Sequence, residues 1–518
     1  MGDLHRIHES ILTLQKRADK INESVLLQTF VQAGPLLPSL MSENNQILFG
    51  RRGTGKTHFL QIIKIKKSND SIVVYIDTRT LGSSGSLYND SSLPLPQRAI
   101  SLFKDVLDVL YNGIWDYVSK NSENYTQQFS DILDNLDLFE KSYTKLVING
   151  GITEEVESRT TAKHDDSFQL GLEGKSFKAS LAGLDTSESS SIQNIQRQGA
   201  QEHYVNYNAV FHILSDLLSL INVKLWVLID EFSELPVELQ ILLADMIKHV
   251  FCPNKNIIVK IAAIETRTSL IKTTSYNYEG LEVGADIFSE NLDDIMVFGN
   301  NQSKALEFFR NLLFNHINYA LDEANRFSDT NVMIQTLFTQ ENVFNELVDA
   351  AEGVPRDAIS ILGEAIHANF CERISMPGIR NAARNWYERD KYNSVAQYPD
   401  ASALLNWIIS SVIGQRRAKA FLLSVGSKSQ LIDHLFDSRI LHILKQNVST
   451  KDRPGERFNV YSIDYGCYVE LIQTDQKVLG LFQEEDDDSA EYIQVPKNDY
   501  RSIRRAILDL NEFFRSRQ

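Results

Sequence analysis

Gly50, Gly53, Thr54, Gly55, Lys56 and Thr57 belong to the run Gly-Arg-Arg-Gly-Thr-Gly-Lys-Thr over 50–57, which satisfies G-x-x-x-x-G-K-[ST]. That spacing makes a cradle for phosphate. Glycines let backbone N–H groups wrap phosphate oxygens, and a helix that follows adds its positive end. Lys56 is then placed to reach the β and γ phosphates of a nucleotide, and Thr57 to ligate Mg²⁺. A second chemical element lies far down the chain, where the apolar run 225–229 ends in Asp230 and Glu231. A buried strand there delivers two carboxylates at its end, Asp230 for the metal through water and Glu231 to polarise an attacking water. A site that only binds needs no second carboxylate; the alternative is a capping or solvated Glu231. The ligands implied are ATP and Mg²⁺.

Two further positions complete the candidate set. The apolar run 257–264 ends in Glu265-Thr266-Arg267. Thr266 is the better candidate for holding water or sensing a γ-phosphate, because a carboxylate facing phosphate oxygens is unfavourable unless metal lies between them. Gly353-Val-Pro-Arg356 precedes a helical pattern over 357–368. Proline suits a helix's first turn and so fixes Arg356 near that helix's start, where a guanidinium can reach a nucleotide cleft and pair with phosphate. The alternative is an arginine solvated at a helix start.

These residues need a scaffold of strands and helices, and the pattern supplies one. Short continuous apolar runs at 47–49, 72–76, 225–229, 257–264 and 295–298, separated by helical stretches, are what parallel strands buried on both faces require. The fold class expected is α/β, a P-loop parallel-sheet core with a helical lid and a C-terminal winged helix. Its boundaries read as a helical lead-in over 1–44, a core over 45–300, a lid over 301–398 and a C-terminal domain over 399–518. An insertion at about 149–203 holds a candidate hairpin turning at Glu173-Gly174 and a Ser-rich loop at 186–191. It reads as an exposed elaboration of the core. The acidic run 484–488 reads as a solvated loop, with a final helix from about 500.

Together these features resemble the AAA+ ATPases. The Gly-Val-Pro-Arg form in the lid, followed by a C-terminal domain, most resembles the initiator clade: the origin-recognition proteins and their stand-alone prokaryotic relatives. The resemblance spans about 30–470 and implies Gly50, Gly55, Lys56 and Thr57 as the phosphate loop, Asp230 and Glu231 as the metal and water pair, and Arg356 as the second sensor. Two departures stand out. The first-sensor position shows Glu265-Thr266 rather than a plain Asn, and 284–294 is acidic where that family usually places a trans-acting arginine. A looser resemblance is to ATPase components of antiphage or mobile-element conflict systems.

The C-terminal stretch 401–466 carries nine Lys and Arg against five Asp and Glu, a local excess inside a chain of formal charge −16. Helices from about 402 and 415 and over 428–439, then strands at 440–445 and 457–463 around a Pro-Gly turn, give the order of a winged helix. Lys428, Gln430 and His434 would face a DNA major groove, while Lys451 and Arg453 on the wing would meet phosphate or minor groove. Winged helices also contact proteins. Duplex DNA, an effector protein and a second copy of the chain are therefore the candidate macromolecular partners. The overall acidity argues against wrapping nucleic acid over the whole surface.

Cys252, Cys371 and Cys467 form no CxxC pair, so neither a zinc site nor a disulfide framework is expected. No window approaches 18 consecutive apolar residues and the first residues do not read as a signal peptide, so the expectation is a cytoplasmic protein without a membrane span. Two functional readings stand: an ATPase that switches its hold on DNA or a partner through MgATP hydrolysis, and a nucleotide-binding scaffold with little turnover that recruits an effector.

Overall fold

The computed structural model describes the chain apart from residues 1, 16–17, 19–20, 33, 83–89, 91, 145, 150–158, 161–169, 174–175, 180–190, 193–194, 198–199, 204, 274–277, 294–301, 416–419, 428, 450–453, 468, 470–506 and 518. It divides into two compact units, one of Met1–Thr80, Lys224–Ile241 and Ile257–Gln518, the other of Leu81–Val223 and Leu242–Asn256.

In the first unit, the lead-in forms three short helices, α1 (Gly2–Leu12), α2 (Glu23–Thr29) and α3 (Leu36–Leu40). The strands are β1 (Gln46–Phe49), β2 (Ile72–Asp77), β3 (Leu225–Asp230), β4 (Ile257–Ala263) and β5 (Phe288–Asn291). All pair in parallel, in the order β5-β1-β4-β3-β2. The apolar runs explain the three inner strands β1, β3 and β4, in which every residue is buried. The fifth strand described is Phe288–Asn291, and the expected strand at 295–298 lies outside the described residues. Phe288 is about half exposed, as an edge position permits, and so the run lacked the apolar signature of a buried strand.

Helix α4 (Lys56–Lys67) starts directly behind the phosphate loop. Its Phe59, Leu60, Ile62 and Ile63 pack with Leu48, Trp226, Leu228, Ile258 and Ala262 of the sheet and with Leu26, Leu36 and Leu40 of the lead-in. Lys64, Lys66 and Lys67 lie in its last turn, the favourable end for cations.

In the second unit, α5 (Leu95–Lys120), α6 (Phe129–Thr144) and α7 (Tyr207–Ile221) are amphipathic helices; Asn206 caps α7 by accepting from the amide of Ala209. The insertion contains antiparallel strands Leu170–Glu173 and Ser176–Ala179, in keeping with the hairpin expected there. Helix α8 (Val237–Val250) follows β3.

The lid comprises α9 (Gln302–Ala320), α10 (Thr330–Leu337), α11 (Glu341–Ala351), α12 (Pro355–Ala368) and α13 (Met376–Trp386). Beyond it come α14 (Pro399–Ile408), β6 (Ala420–Ser424), α15 (Gln430–Asp437), β7 (Leu441–Ser449), β8 (Arg457–Ile463), β9 (Ile507–Leu508) and α16 (Leu510–Ser516). The sheet order is β7-β8-β6-β9, with β7 and β8 an antiparallel pair. The second helix expected from Gln415 is corrected: Ala420–Ser424 is a strand, paired antiparallel to β8 and parallel to β9. Its four-residue apolar run fits helix or strand equally well by periodicity, and tertiary pairing decides. One continuous apolar core joins α1, the lid and the C-terminal elements, from Ile7 through Phe309, Leu362, Phe421 and Ile463 to Phe513. No described helix is long and apolar enough to cross a membrane. The three cysteines are free thiols.

Candidate nucleotide site

A cavity of about 300 Å³ opens where the phosphate loop meets the lid. Its polar lining comes from Gly53, Thr54, Gly55, Lys56 and Thr57, from Arg79 and Glu231, and from Arg356. Its apolar lining comes from Ala18, Ile21, Phe30 and Val31 of the lead-in, Phe308 and Leu312 of α9 and Ile359 of α12, and His58 and His316 line it as well. The lead-in therefore forms a wall of the site, a role sequence reading missed because its helical periodicity only signals packing. Burial holds both histidines below their ordinary range, His316 at about 4.

The loop is glycine-dependent where the lid touches it. Gly53 has φ +87°, and a Cβ there would lie 2.9 Å from the Cβ of Arg356 and 3.1 Å from a Val354 methyl. Gly55, at φ +102°, turns the chain into α4. Lys56 is buried in the first turn, and its Nζ donates to the carbonyls of Gly50 (2.6 Å) and Arg51 (3.0 Å). Burial pulls its pKa below the ordinary lysine range, while Glu231, Asp293 and Asp230 pull the other way. The Thr54 hydroxyl donates to the Arg51 carbonyl at 2.8 Å and so braces the loop internally. Thr57 is half-buried and lines the cavity.

Asp230 ends β3 fully buried. Its carboxylate accepts from the Tyr75 hydroxyl of β2 at 2.7 Å and from the Glu231 amide at 2.8 Å. Burial and this carboxylate push the Tyr75 hydroxyl well up, which keeps it a donor. Glu231 sits in the left-handed region (φ 54°), with its carbonyl taking the Thr78 hydroxyl at 2.6 Å. Burial and neighbouring Asp230 raise its pKa, opposed by Lys56 and Arg79. Arg79 had no motif to announce it. It clasps Asp77 through Nε (2.9 Å) and Nη2 (2.6 Å) and lies 3.7 Å from a Glu231 carboxylate oxygen.

The lid meets the loop through the backbone: the Arg356 amide donates to the Gly53 carbonyl at 3.3 Å, with Pro355 in the first turn of α12. Thr266 behaves differently from expectation. Its hydroxyl donates to Asp437 of α15 at 2.5 Å, Arg267 pairs with the same carboxylate, and Thr266 does not line the cavity. The nearly buried Asp437 needs donors, and the turn after β4 supplies them. Glu265 accepts from the Asn291 amide at 2.9 Å.

Of the C-terminal candidates, Gln430 is exposed at the start of α15. His434 is half-buried, packed edge-on against Tyr398 at 4.5 Å, rather than facing outward. Lys428, Lys451 and Arg453 lie outside the described residues. Arg439, counted in the basic excess, is buried against Asp357 and Asp390.

A glycine-rich loop over 50–57 after β1, carboxylates at the end of β3 and the start of α12 are carried on a parallel α/β sheet ordered 5-1-4-3-2. No protein-family model and no curated protein matches the chain. Among solved structures it is similar to Cdc6p from Pyrobaculum aerophilum, at 12% identity over 90% of this chain and 96% of that one, with a TM-score of 0.32. It is also similar to the Aeropyrum pernix Orc1 protein in complex with DNA, at 13% identity, 90% and 96% coverage and a TM-score of 0.29. A third similarity is to Drosophila ORC bound to DNA, at 8% identity, 88% and 94% coverage and a TM-score of 0.31.

Proposed function

We propose that the protein is an ATPase switch that hydrolyses MgATP to change its hold on DNA or on a partner protein. The observation that carries this reading is the convergence of Lys56, Thr57, Glu231 and Arg356 on one cavity that also has apolar lining, the two kinds of surface a triphosphate and a base require. Lys56 exchanges its two loop carbonyls for phosphate oxygens. The Thr57 hydroxyl is a hard oxygen donor of the kind Mg²⁺ takes, and Asp230, buried and outside the cavity lining, would reach the metal through water. Among the described residues no three His, Cys, Asp or Glu gather into a cage, so phosphate oxygens and water would fill the rest of its shell. When bound, the metal neutralises charge that develops on the phosphate oxygens. Glu231 orients the water for in-line attack on the γ-phosphorus and takes its proton, for which a raised pKa is the useful direction. Arg356 joins the lid to the γ-phosphate.

The C-terminal segment, read as a winged-helix variant with β6 in place of a helix, is the part assigned to DNA. Exposed Gln430 and the basic residues 428, 451 and 453 are its contacts. With Arg439 internal and His434 packed, contact is mainly to phosphate and therefore weak and salt-sensitive. The scaffold reading is favoured by one observation, the Arg79 guanidinium 3.7 Å from a Glu231 carboxylate oxygen, a pairing that competes with water for that carboxylate. Steady-state turnover with and without duplex DNA separates the two. Lys56→Ala is expected to abolish nucleotide binding, whereas Glu231→Gln binds ATP and turns over at least ~100-fold more slowly. Normal turnover in Glu231→Gln would remove that residue from its role.

A further inference from the structure

Arg51 is the second residue of the phosphate loop, yet it is only 1% exposed. Its side chain leaves the cavity and enters a cluster of charges. Nε donates to Asp293 at 2.8 Å, the backbone amide to the other Asp293 oxygen at 2.9 Å, and Nη2 to the Glu352 carbonyl at 3.3 Å. Nη1 meets Nδ1 of His442, on strand β7, across 391 residues of sequence. The guanidinium also lies 5.5 Å from the Phe436 ring.

Chemistry fixes the protonation of this contact. A guanidinium has donors only, so Nδ1 of His442 must accept and the imidazole is neutral with its proton on Nε2. That proton is donated to Asp464 at 3.1 Å. Asp464 also takes Lys391 at 2.5 Å, and Lys391 lies 3.0 Å from Asp357, which pairs in turn with Arg439. Asp357 is the residue after Arg356 in the lid helix. One buried chain of charges thus runs from the phosphate loop through the C-terminal strands to the start of α12. At its first end, the Arg51 carbonyl accepts from both Lys56 and Thr54.

We propose that His442 is a positioning residue of the nucleotide site: by accepting from Arg51 while anchored on Asp464, it fixes the loop carbonyls that set Lys56. The C-terminal strands thereby belong to the nucleotide site in cis, a role that rests on the nucleotide reading above. Asp293 alone satisfies one side of the guanidinium; without an acceptor at Nη1, a buried donor is left unpaired and the loop is free to re-register.

Two substitutions divide the imidazole's functions. His442→Asn places an amide oxygen near the position of Nδ1 and keeps the acceptor for Arg51; His442→Gln places its amide near Nε2 and keeps only the contact with Asp464. MgATP and MgADP affinities are measured by calorimetry on the full-length wild type, both variants and Lys56→Ala, with thermal melts as a fold control. We expect His442→Asn to bind within about 3-fold of wild type and folded His442→Gln to bind at least ~10-fold more weakly, the scale of one buried charge-assisted contact. Wild-type affinity in His442→Gln, or weak binding in His442→Asn with tight binding in His442→Gln, overturns the proposal, since His442 would then serve Asp464 alone. Should His442→Gln not fold, Arg51→Lys carries the test: it retains the charge on Asp293 but cannot span both partners, and wild-type affinity in that variant overturns the proposal. Nucleotide binding that survives Lys56→Ala would instead overturn the nucleotide reading, and this role with it.

Discussion

Arg356 and Asp357 are neighbours with opposite tasks: the arginine lines the cavity, and the aspartate is fully buried among cations. If the guanidinium reads the γ-phosphate, Arg356→Ala should reduce the preference for ATP over ADP by about 1.5–3 kcal/mol, leaving ADP affinity near wild type. Comparing both affinities in both proteins checks this, and an unchanged ratio counts against the assignment. For Asp357, burial alone would raise the pKa, but Arg439 and Lys391 outweigh it and hold it low. Asp464 is held at about 2 despite burial, by Lys391 and by the His442 hydrogen bond. A carboxylate depressed on folding adds stability above its unfolded pKa of about 4 and loses it as pH falls through the folded value. Asp464 should therefore supply on the order of 2 kcal/mol at neutral pH that disappears between about pH 4 and pH 2. Urea titrations across that window should show a steeper fall for the wild type than for Asp464→Asn, which will itself be less stable throughout because Lys391 loses a partner.

The decisive junction between elements is α12 against the phosphate loop. Arg356 and Val354 approach Gly53 so closely that a single methyl group has no room, and the loop is left-handed there. Gly53→Ala should cost about 1–3 kcal/mol in the seating of the lid. It should weaken nucleotide binding while the sheet keeps its hydrogen exchange protection, with faster exchange confined to the loop and the start of α12. Unchanged exchange and affinity would show that the lid does not depend on this contact. The sequence announced α12 through its Pro355 and β3 and β4 through unbroken apolar runs. It did not announce β5 or β6, an edge strand without an apolar run and a short segment whose pairing partners, β8 and β9, lie 33 or more residues further on.

At the scale of the molecule, the lid and the C-terminal elements are not two cores but one. Phe421, Leu435, Leu441 and Ile463 share a cluster with Phe309, Leu347 and Leu362, and Lys391 and Asp357 of the lid depend on Asp464 and Arg439 beyond it. Deleting 399–518 removes those partners at a cost of about 3–5 kcal/mol for each broken buried ion pair, before any apolar exposure is counted. The truncated chain should therefore fail to melt cooperatively. A shortened protein that melts within a few degrees of full length and hydrolyses ATP normally would refute the shared core.

The loop over 50–57 between strand and helix, Asp230 and Glu231 at the end of a buried strand, Pro355 in a helix's first turn and the α/β class were all legible in the sequence, because each rests on local chemistry: spacing, strand-length apolar runs and turn residues. Arg79, the lead-in wall, the turning of Thr266 toward Asp437 and the burial of Arg51 against His442 were not. They depend on which distant groups share a low-dielectric interior, where every charge must find a partner. No local pattern encodes that pairing, and packing of the sheet, lid and C-terminal strands against one another decided it.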